Sequence, residues 1–309
     1  MSAELPSKTP PRVLAVTVNW NSPDDTARLL GAFRAFANPA CEVVVVDNGS
    51  TDGSLDKLRT AFPEVRFLVL PANAGFGTAN NAALREALDQ QIPYVWLINN
   101  DALPDAGSLA ALVARLEADP RAGAAGAVVV DDDAAARIQA WGGGHIRPWL
   151  GGVRLHRAPA EPLEFLTGAC LLLRTAALRE IGLFDERFFL YWEDADLCFR
   201  LQKSGWNLVV ADTRVRHKGS ATTGRNRYLR SFHSGRSLVL FMDRHARLPR
   251  LTGLSAIACQ SFGKLARGNT PAAAGFWAGF REGLRVLRRP EPTASPTPAA
   301  ASTEFPHGR

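Results

Sequence analysis

Residues 41–52 read CEVVVVDNGSTD. Four successive valines are stiff at χ1 and apolar on both sides of a pleat, which predicts a strand buried on both faces. Asp47, Asn48, Gly49 and Ser50 then end it in a turn. Working outward, VLAVTVNW (13–20) has the same buried-strand character. Asp24 to Phe36 places apolar residues at Ala27, Leu29, Leu30, Phe33 and Phe36, with acids at its start, as a helix does. The rhythm repeats downstream: a helix at 54–62, strand VRFLVL (65–70), a helix at 77–89, strand YVWLIN (94–99), a helix at 108–118 and strand AGAVVV (125–130). Such alternation predicts an α/β fold, a mostly parallel central sheet flanked by helices. Open sheets of this kind bind ligands beyond the carboxyl ends of their strands, where Asp47 and Asn99-Asn100-Asp101 fall.

After residue 131 the pattern changes. Residues 141–155 are rich in Gly and Trp and suggest a hairpin or flap. FLTGACLLLR (165–174) is expected to be a strand that Gly168 interrupts. A helix over 193–204 opens with Glu193, Asp194 and Asp196, and NLVVAD (207–212) is a last strand. The expected organisation is a flexible tail at 1–11, a main domain at 12–245 that divides into 12–130 and 131–245, a basic helical extension at 246–289 and a disordered tail at 290–309.

Hydrophobic residues make up 46% and charged residues 21% of the 309, the balance of a soluble globular enzyme. No run reaches the ~18–20 apolar residues of a membrane-spanning helix, and the polar, Pro-rich beginning has no signal-peptide core. A cytoplasmic location is expected. The four cysteines form no CxxC pair and are expected to be small buried hydrophobes. The net charge of +6 gathers beyond residue 200, which suits nucleic acid, phosphorylated substrates or an anionic membrane.

Several residues can carry chemistry. Asp47 could simply close an Asx-turn, or could accept a hydrogen bond from a pyrimidine N–H. NAGFGTANN (73–81) offers Asn73 and Gly75 before a helix, either as a tight turn or as a nucleotide loop. Asp101 could cap a turn or bind a divalent cation, with His217 as its partner. In YWEDADLCFR (191–200) the acids could complement a helix dipole. Alternatively, Asp194 could deprotonate an acceptor hydroxyl beside Tyr191 and Trp192, whose flat faces suit a sugar ring.

Taken together, VVVVDNGSTDGS, NAGFGTANN, LINNDA, FLTGACLLLR, FDERFFLYWEDADLCFRLQKSGW and His217 resemble glycosyltransferase family 2, most nearly its rhamnosyltransferase-like branch, over residues 12–245. The resemblance implies a GT-A fold and inverting transfer from a nucleotide-diphosphate sugar to a hydroxyl, with 12–245 as the catalytic domain, 12–130 its nucleotide-binding half and 131–245 its acceptor-binding half. It also implies the site residues. Asp194 would be the general base with Glu193 beside it, and Asn19, Trp20, Asp47, Asn73, Gly75, Asn99 and Asn100 would bind the nucleotide. Asp101 and His217 would hold Mg²⁺ or Mn²⁺, and Gly168, Ala169 and Trp192 would meet the acceptor. Asn99 stands where the family's DxD motif has its first aspartate, which removes one negative charge from the metal site. Resemblance favours dTDP-rhamnose, although no residue separates it from a UDP-hexose. The acceptor would be a glycan or lipid-linked hydroxyl in cell-envelope polysaccharide synthesis.

Three alternatives fit less well. A sugar nucleotidyltransferase needs a Gly- and Arg/Lys-containing loop after the first strand, where NWNSPDDT stands. A nucleic-acid partner is disfavoured by Asp101, Asp194 and Asp196, which would repel phosphates. An inactive sugar- or nucleotide-binding relative leaves Asp101, Asp194 and His217 unexplained. The basic end also suggests peripheral contact with the inner face of the cell membrane, with SLVLFM (237–242), Phe262, Phe276, Trp277 and Phe280 as apolar faces; a solvated helical subdomain is the competing reading.

Overall fold

The computed structural model describes residues 11–36, 41–219 and 226–288; the expected tails, apart from residue 11, lie outside the described residues. Strands β1 (Val13–Asn19), β2 (Cys41–Asp47), β3 (Arg66–Val69) and β4 (Tyr94–Ile98) pair in parallel in the order β3-β2-β1-β4. Helices α1 (Pro23–Phe36), α2 (Ser54–Ala61) and α3 (Phe76–Asp89) connect them. Val44 to Val46 are fully buried, as expected of a strand covered on both faces.

The chain continues through β5 (Ala102–Pro104), α4 (Ser108–Glu117), β6 (Ala122–Asp131), β7 (Ile138–Trp141), β8 (Gly143–Arg147) and β9 (Gly152–Leu155). It then forms β10 (Phe165–Leu166), β11 (Cys170–Arg174), α5 (Thr175–Ile181), α6 (Glu193–Lys203) and β12 (Asn207–His217). β11 inserts between β4 and β6 and runs antiparallel to both, whereas β6 and β12 are parallel. The sheet is therefore mixed, with most strands still pointing one way. FLTGACLLLR is two strands, not one: β10 pairs with the β8–β9 hairpin in a small second sheet, and β11 joins the main one. The break at Thr167–Ala169 carries the chain from one sheet to the other. β12 is also longer than its apolar run suggests. Past Val210 only alternate residues such as Val215 are buried, and a register shift against β6 accompanies the change, so His217 ends the strand.

Two cysteines behave as core. Cys170 and Cys198 are buried, and burial pushes both thiols up to about 12. Cys41 is half-buried and Cys259 exposed, which corrects the expectation that all four are interior.

Three helices close the chain: α7 (Arg227–His245), α8 (Pro249–Leu265) and α9 (Thr270–Arg288). α7 and α9 lie parallel with their backbones in contact. A Cβ on Gly275, Gly279 or Gly283 would overlap the carbonyl oxygen of Tyr228, Phe232 or Arg236 respectively. Leu238 to Met242 of the SLVLFM run are core, as is Phe276. Those residues hold the helices to the rest of the fold and are not surface faces.

Gly279→Ala is expected to push α7 and α9 apart and lower stability by about 1–3 kcal/mol. Gly31→Ala, in the exposed middle of α1 with open space around it, is expected to raise it by about 0.5–1 kcal/mol. Urea unfolding of the two variants checks both signs.

Candidate active site

The parallel strands end in buried polar side chains that satisfy one another. The Asn19 amide donates to Asp47 Oδ1 at 2.9 Å and to Ser50 Oγ at 3.1 Å, and its oxygen accepts from Thr26 Oγ1 at 2.8 Å. Asn100 Nδ2 donates in turn to Thr26 Oγ1 at 3.0 Å. β1, β2, β4 and the start of α1 are thus tied together, at positions where unpaired polar atoms would be costly. Asn19, Asp47 and Asn100 are themselves almost without accessible surface. Asp47 does close the Asx-turn, accepting from Ser50 N–H at 3.0 Å; each of its oxygens keeps a further lone pair. Trp20 is half-exposed at the same end.

The NAGFG segment is held from below by Asn48. Its Nδ2 donates to Asn73 Oδ1 at 3.0 Å, and its Oδ1 accepts from Ala74 N–H at 2.9 Å. Gly75, at φ 89°, caps α3, and Phe76 N–H donates to Phe189 O at 2.9 Å. A Cβ on Gly75 would strike that carbonyl. The loop is thereby clamped against the segment that leads into α6, as a tight strand-to-helix turn.

At the far end of β4, Asp101 Oδ1 lies 3.2 Å from His217 Nε2, and the Asn99 amide nitrogen lies 3.4 Å from the same Nε2. Gln139, which the sequence did not single out, settles the imidazole. Its Nε2 donates to Asp131 Oδ1 at 2.9 Å and to His217 O at 2.7 Å, so its oxygen is what faces His217 Nδ1 at 3.0 Å. Nδ1 therefore carries the proton and donates, which turns the Nε2 lone pair toward Asp101. Two acceptors that close ask for a proton or a cation between them. Ligands at right angles around an octahedral ion at about 2.1 Å stand about 3 Å apart, so the pair fits a hard divalent ion. Among the described residues no group of three or more His, Cys, Asp or Glu could hold one alone. Lys218–Asp25 and Arg28–Asp132 ion pairs brace α1 against this edge.

At the start of α6, Asp194 Oδ2 accepts from Gly168 N–H at 3.0 Å and Oδ1 from Ala195 N–H at 2.8 Å. Glu193 is buried with Oε2 unpartnered. Burial pushes both carboxyls up, and the charge of Asp194 pushes Glu193 well up in addition. The two titrate as a pair, and the first charge settles on Asp194, which has the N–H donors. Ala169 joins this half of the site to the other, since its carbonyl accepts from Asn99 N–H at 3.1 Å. Gly168 and Ala169 thus connect the carboxylate pair directly to the Asn99–Asp101 segment.

Tyr191 and Trp192, at φ 67° and 71°, are consecutive left-handed residues immediately before α6, a conformation that costs non-glycine residues of order 1–3 kcal/mol each. Trp192 is buried, its ring 4.9 Å from that of Phe241. This corrects the expectation that it offers a flat face to an acceptor: the twist turns its ring into the core.

Asp196, read only as one acid of a cluster, is the anchor of that strained turn. Fully buried, it accepts from Arg200 Nε at 2.9 Å, Arg244 Nη1 at 2.9 Å and His245 Nε2 at 2.8 Å. Burial alone would raise its pKa, but His245, Arg200 and Arg244 outweigh it and hold it at about 2. Arg244 also bonds Asp185 Oδ2 at 2.6 Å, and Arg200 donates to Ile181 O and Leu183 O. α5, α6 and α7 meet at this one carboxylate.

The chain belongs to glycosyl transferase family 2, whose pattern matches residues 15–182, and it has the GT-A fold of a glycosyltransferase enzyme. It is 34% identical over 259 residues to N-acetylglucosaminyl-diphospho-decaprenol L-rhamnosyltransferase of Mycobacterium tuberculosis, covering 75% of this chain and 84% of that relative. Solved structures share the fold at low identity. The mannosyltransferase PcManGT of Pyrobaculum calidifontis, in complex with GDP-Man and Mn²⁺, has a TM-score of 0.54 at 19% identity, covering 90% of this chain and 85% of that one. S. aureus TarS 1-349 in complex with UDP has a TM-score of 0.53 at 16% identity, covering 84% and 73%. No helix among the described residues is long and apolar enough to cross a membrane.

The two buried acids of α6 have opposite pH signatures. Asp196 is depressed from 3.8 to about 2, so its stabilisation is complete above 3.8 and is lost as pH falls toward 2. Asp196→Ala is expected to cost about 3–5 kcal/mol at neutral pH, a deficit that shrinks over that window. Glu193 is raised above 4.5, so its ionisation destabilises the fold increasingly as pH rises beyond that value. Glu193→Gln should be neutral in acid and stabilising at alkaline pH. Urea unfolding across pH measures both.

Proposed function

We propose that the chain is an inverting transferase that moves a sugar, in our reading rhamnose from dTDP-rhamnose, to a hydroxyl of a lipid-linked acceptor in cell-envelope polysaccharide synthesis. The observation that carries this is the bridge through Gly168 and Ala169. It joins a half-buried, hydrogen-bonded Asp194 to the segment bearing Asp101 and, through it, to His217. A base for the acceptor and a cation site for the leaving group are what such a transfer needs on opposite sides of one anomeric carbon. The mycobacterial relative is named for L-rhamnosyl transfer to a diphospho-decaprenol lipid, and PcManGT was solved with a nucleotide sugar and Mn²⁺.

In the proposed step, Asp194 takes the proton of the acceptor hydroxyl as its oxygen bonds to the anomeric carbon. The bond from that carbon to the diphosphate oxygen breaks, and the nucleoside diphosphate leaves with the electron pair. A single displacement of this kind inverts the anomeric centre. Burial raises Asp194 toward the pH at which it must accept a proton, while the Gly168 and Ala195 N–H groups keep it ionised in preference to Glu193. Asp101 and His217 would hold Mg²⁺ or Mn²⁺, which neutralises charge on the departing diphosphate. Asn99 adds an amide without a charge. Asp47 keeps lone pairs for the N–H of a thymine or uracil, with Asn19 fixing its carboxylate. Trp20 and Asn73 border the nucleotide end, and Gly75 keeps α3 close to the cleft. The acceptor, being lipid-linked, places the protein on the inner face of the cell membrane.

Asp194→Asn is expected to lower kcat by about 10²–10⁴-fold while dTDP binding by calorimetry stays unchanged; normal turnover would overturn the base assignment. Asp101→Ala should abolish the strengthening of dTDP binding by Mg²⁺ or Mn²⁺. Equal metal dependence in wild type and variant would remove Asp101 from the metal site.

A further inference from the structure

The outer face of α8 is unlike that of a helix turned toward water. The positions that point outward recur at 251, 254, 258, 262 and 265, and they are Leu, Leu, Ala, Phe and Leu. With Leu248, which precedes the helix, the large side chains among them are 52–75% exposed. A solvated helix carries charged or polar residues there, and a continuous apolar stripe of this length marks an interaction surface. α9 contributes a second outward row, Trp277, Arg281, Leu284 and Arg288, spaced four, three and four residues apart on one side of the helix. Trp277 is half exposed. Trp149 and Leu150 are also exposed, and their carbonyls accept from Ser255 and Gln260 of α8.

Charge identifies what covers this surface. Residues 246–288 carry seven bases against a single acid, Glu282, which is already paired with Arg285. We propose that the outer faces of α8 and α9 dock this enzyme on an anionic lipid bilayer, the α8 stripe entering the headgroup boundary and the arginines meeting lipid phosphates. An apolar face flanked by Arg and lacking acids is the composition that lies flat in such an interface. A symmetric second copy fits poorly, because it would bring the two sets of arginines together. The proposal deepens the lipid-linked acceptor reading by naming the elements that meet the membrane. The apolar run at 237–242 is not among them, since it is core.

Co-sedimentation with vesicles of phosphatidylglycerol mixed with phosphatidylcholine, and of phosphatidylcholine alone, tests this. Wild type should bind the anionic vesicles, and binding should weaken with salt. The double variant Leu254→Glu, Phe262→Glu should bind at least about tenfold less, with unchanged melting temperature and unchanged dTDP binding. Absence of wild-type binding, equal binding by the variant, or equal binding to both vesicle types would each overturn the proposal. So would a wild-type dimer in sedimentation velocity that the double variant turns into a monomer, since a second copy would then cover the face. Because dTDP binding reports on the transferase site alone, failure of the surface and failure of the transferase reading are told apart.

Discussion

Asp47, Asn19, Thr26 and Asn100 form one buried chain of hydrogen bonds, and the carboxyl ends of β1, β2 and β4 are tied together by it. Parallel strands must release their chains at the same edge, where each last residue brings polar groups that no neighbouring strand can satisfy. Here side chains satisfy one another in place of water. The result is a rigid rim with Asp47 and the Asn99–Asp101 segment fixed relative to each other. Removing a link would leave its partner buried and unpaired, a loss larger than the bond itself.

The region around α6 is held by a different force. Asp196 gathers Arg200, Arg244 and His245 inside the fold, and charge in that setting tolerates no vacancy. The same helix carries Glu193 and Asp194 at its first turn, two residues from the anchored carboxylate. The left-handed Tyr191 and Trp192 can persist because the helix behind them is pinned and Trp192 is packed on Phe241. Strain before α6 and the ion cluster within it are therefore parts of one device, which sets where Asp194 stands.

β11 connects the two halves. By running antiparallel between β4 and β6, it sets Gly168 and Ala169 between α6 and the end of β4, one bonded to Asp194 and the other to Asn99. α7 supplies Arg244 and His245 to the Asp196 cluster, whereas α8 and α9 stand apart from it. Glycines allow α7 and α9 to touch along their backbones, which leaves α8 with one face on its partners and one face outward.

The sequence by itself determined the alternating strands and helices, because burial on both faces of a parallel strand writes itself as a continuous apolar run such as Val43–Val46. It also marked Asp47, Asp101 and Asp194, since charged residues at strand ends and helix starts stand out against apolar neighbours. Tertiary structure alone decided the rest. That β11 leaves the path of β10, that Trp192 turns inward, and that SLVLFM is core all depend on what packs across from them, which no local pattern records. Gln139 and the ring around Asp196 were invisible for the same reason. Gln139 lies 78 residues from His217, and Arg244 and His245 lie 48 and 49 from Asp196; an orienting hydrogen bond needs the right atom in the right place, whereas periodicity reports only which side of an element faces away from water.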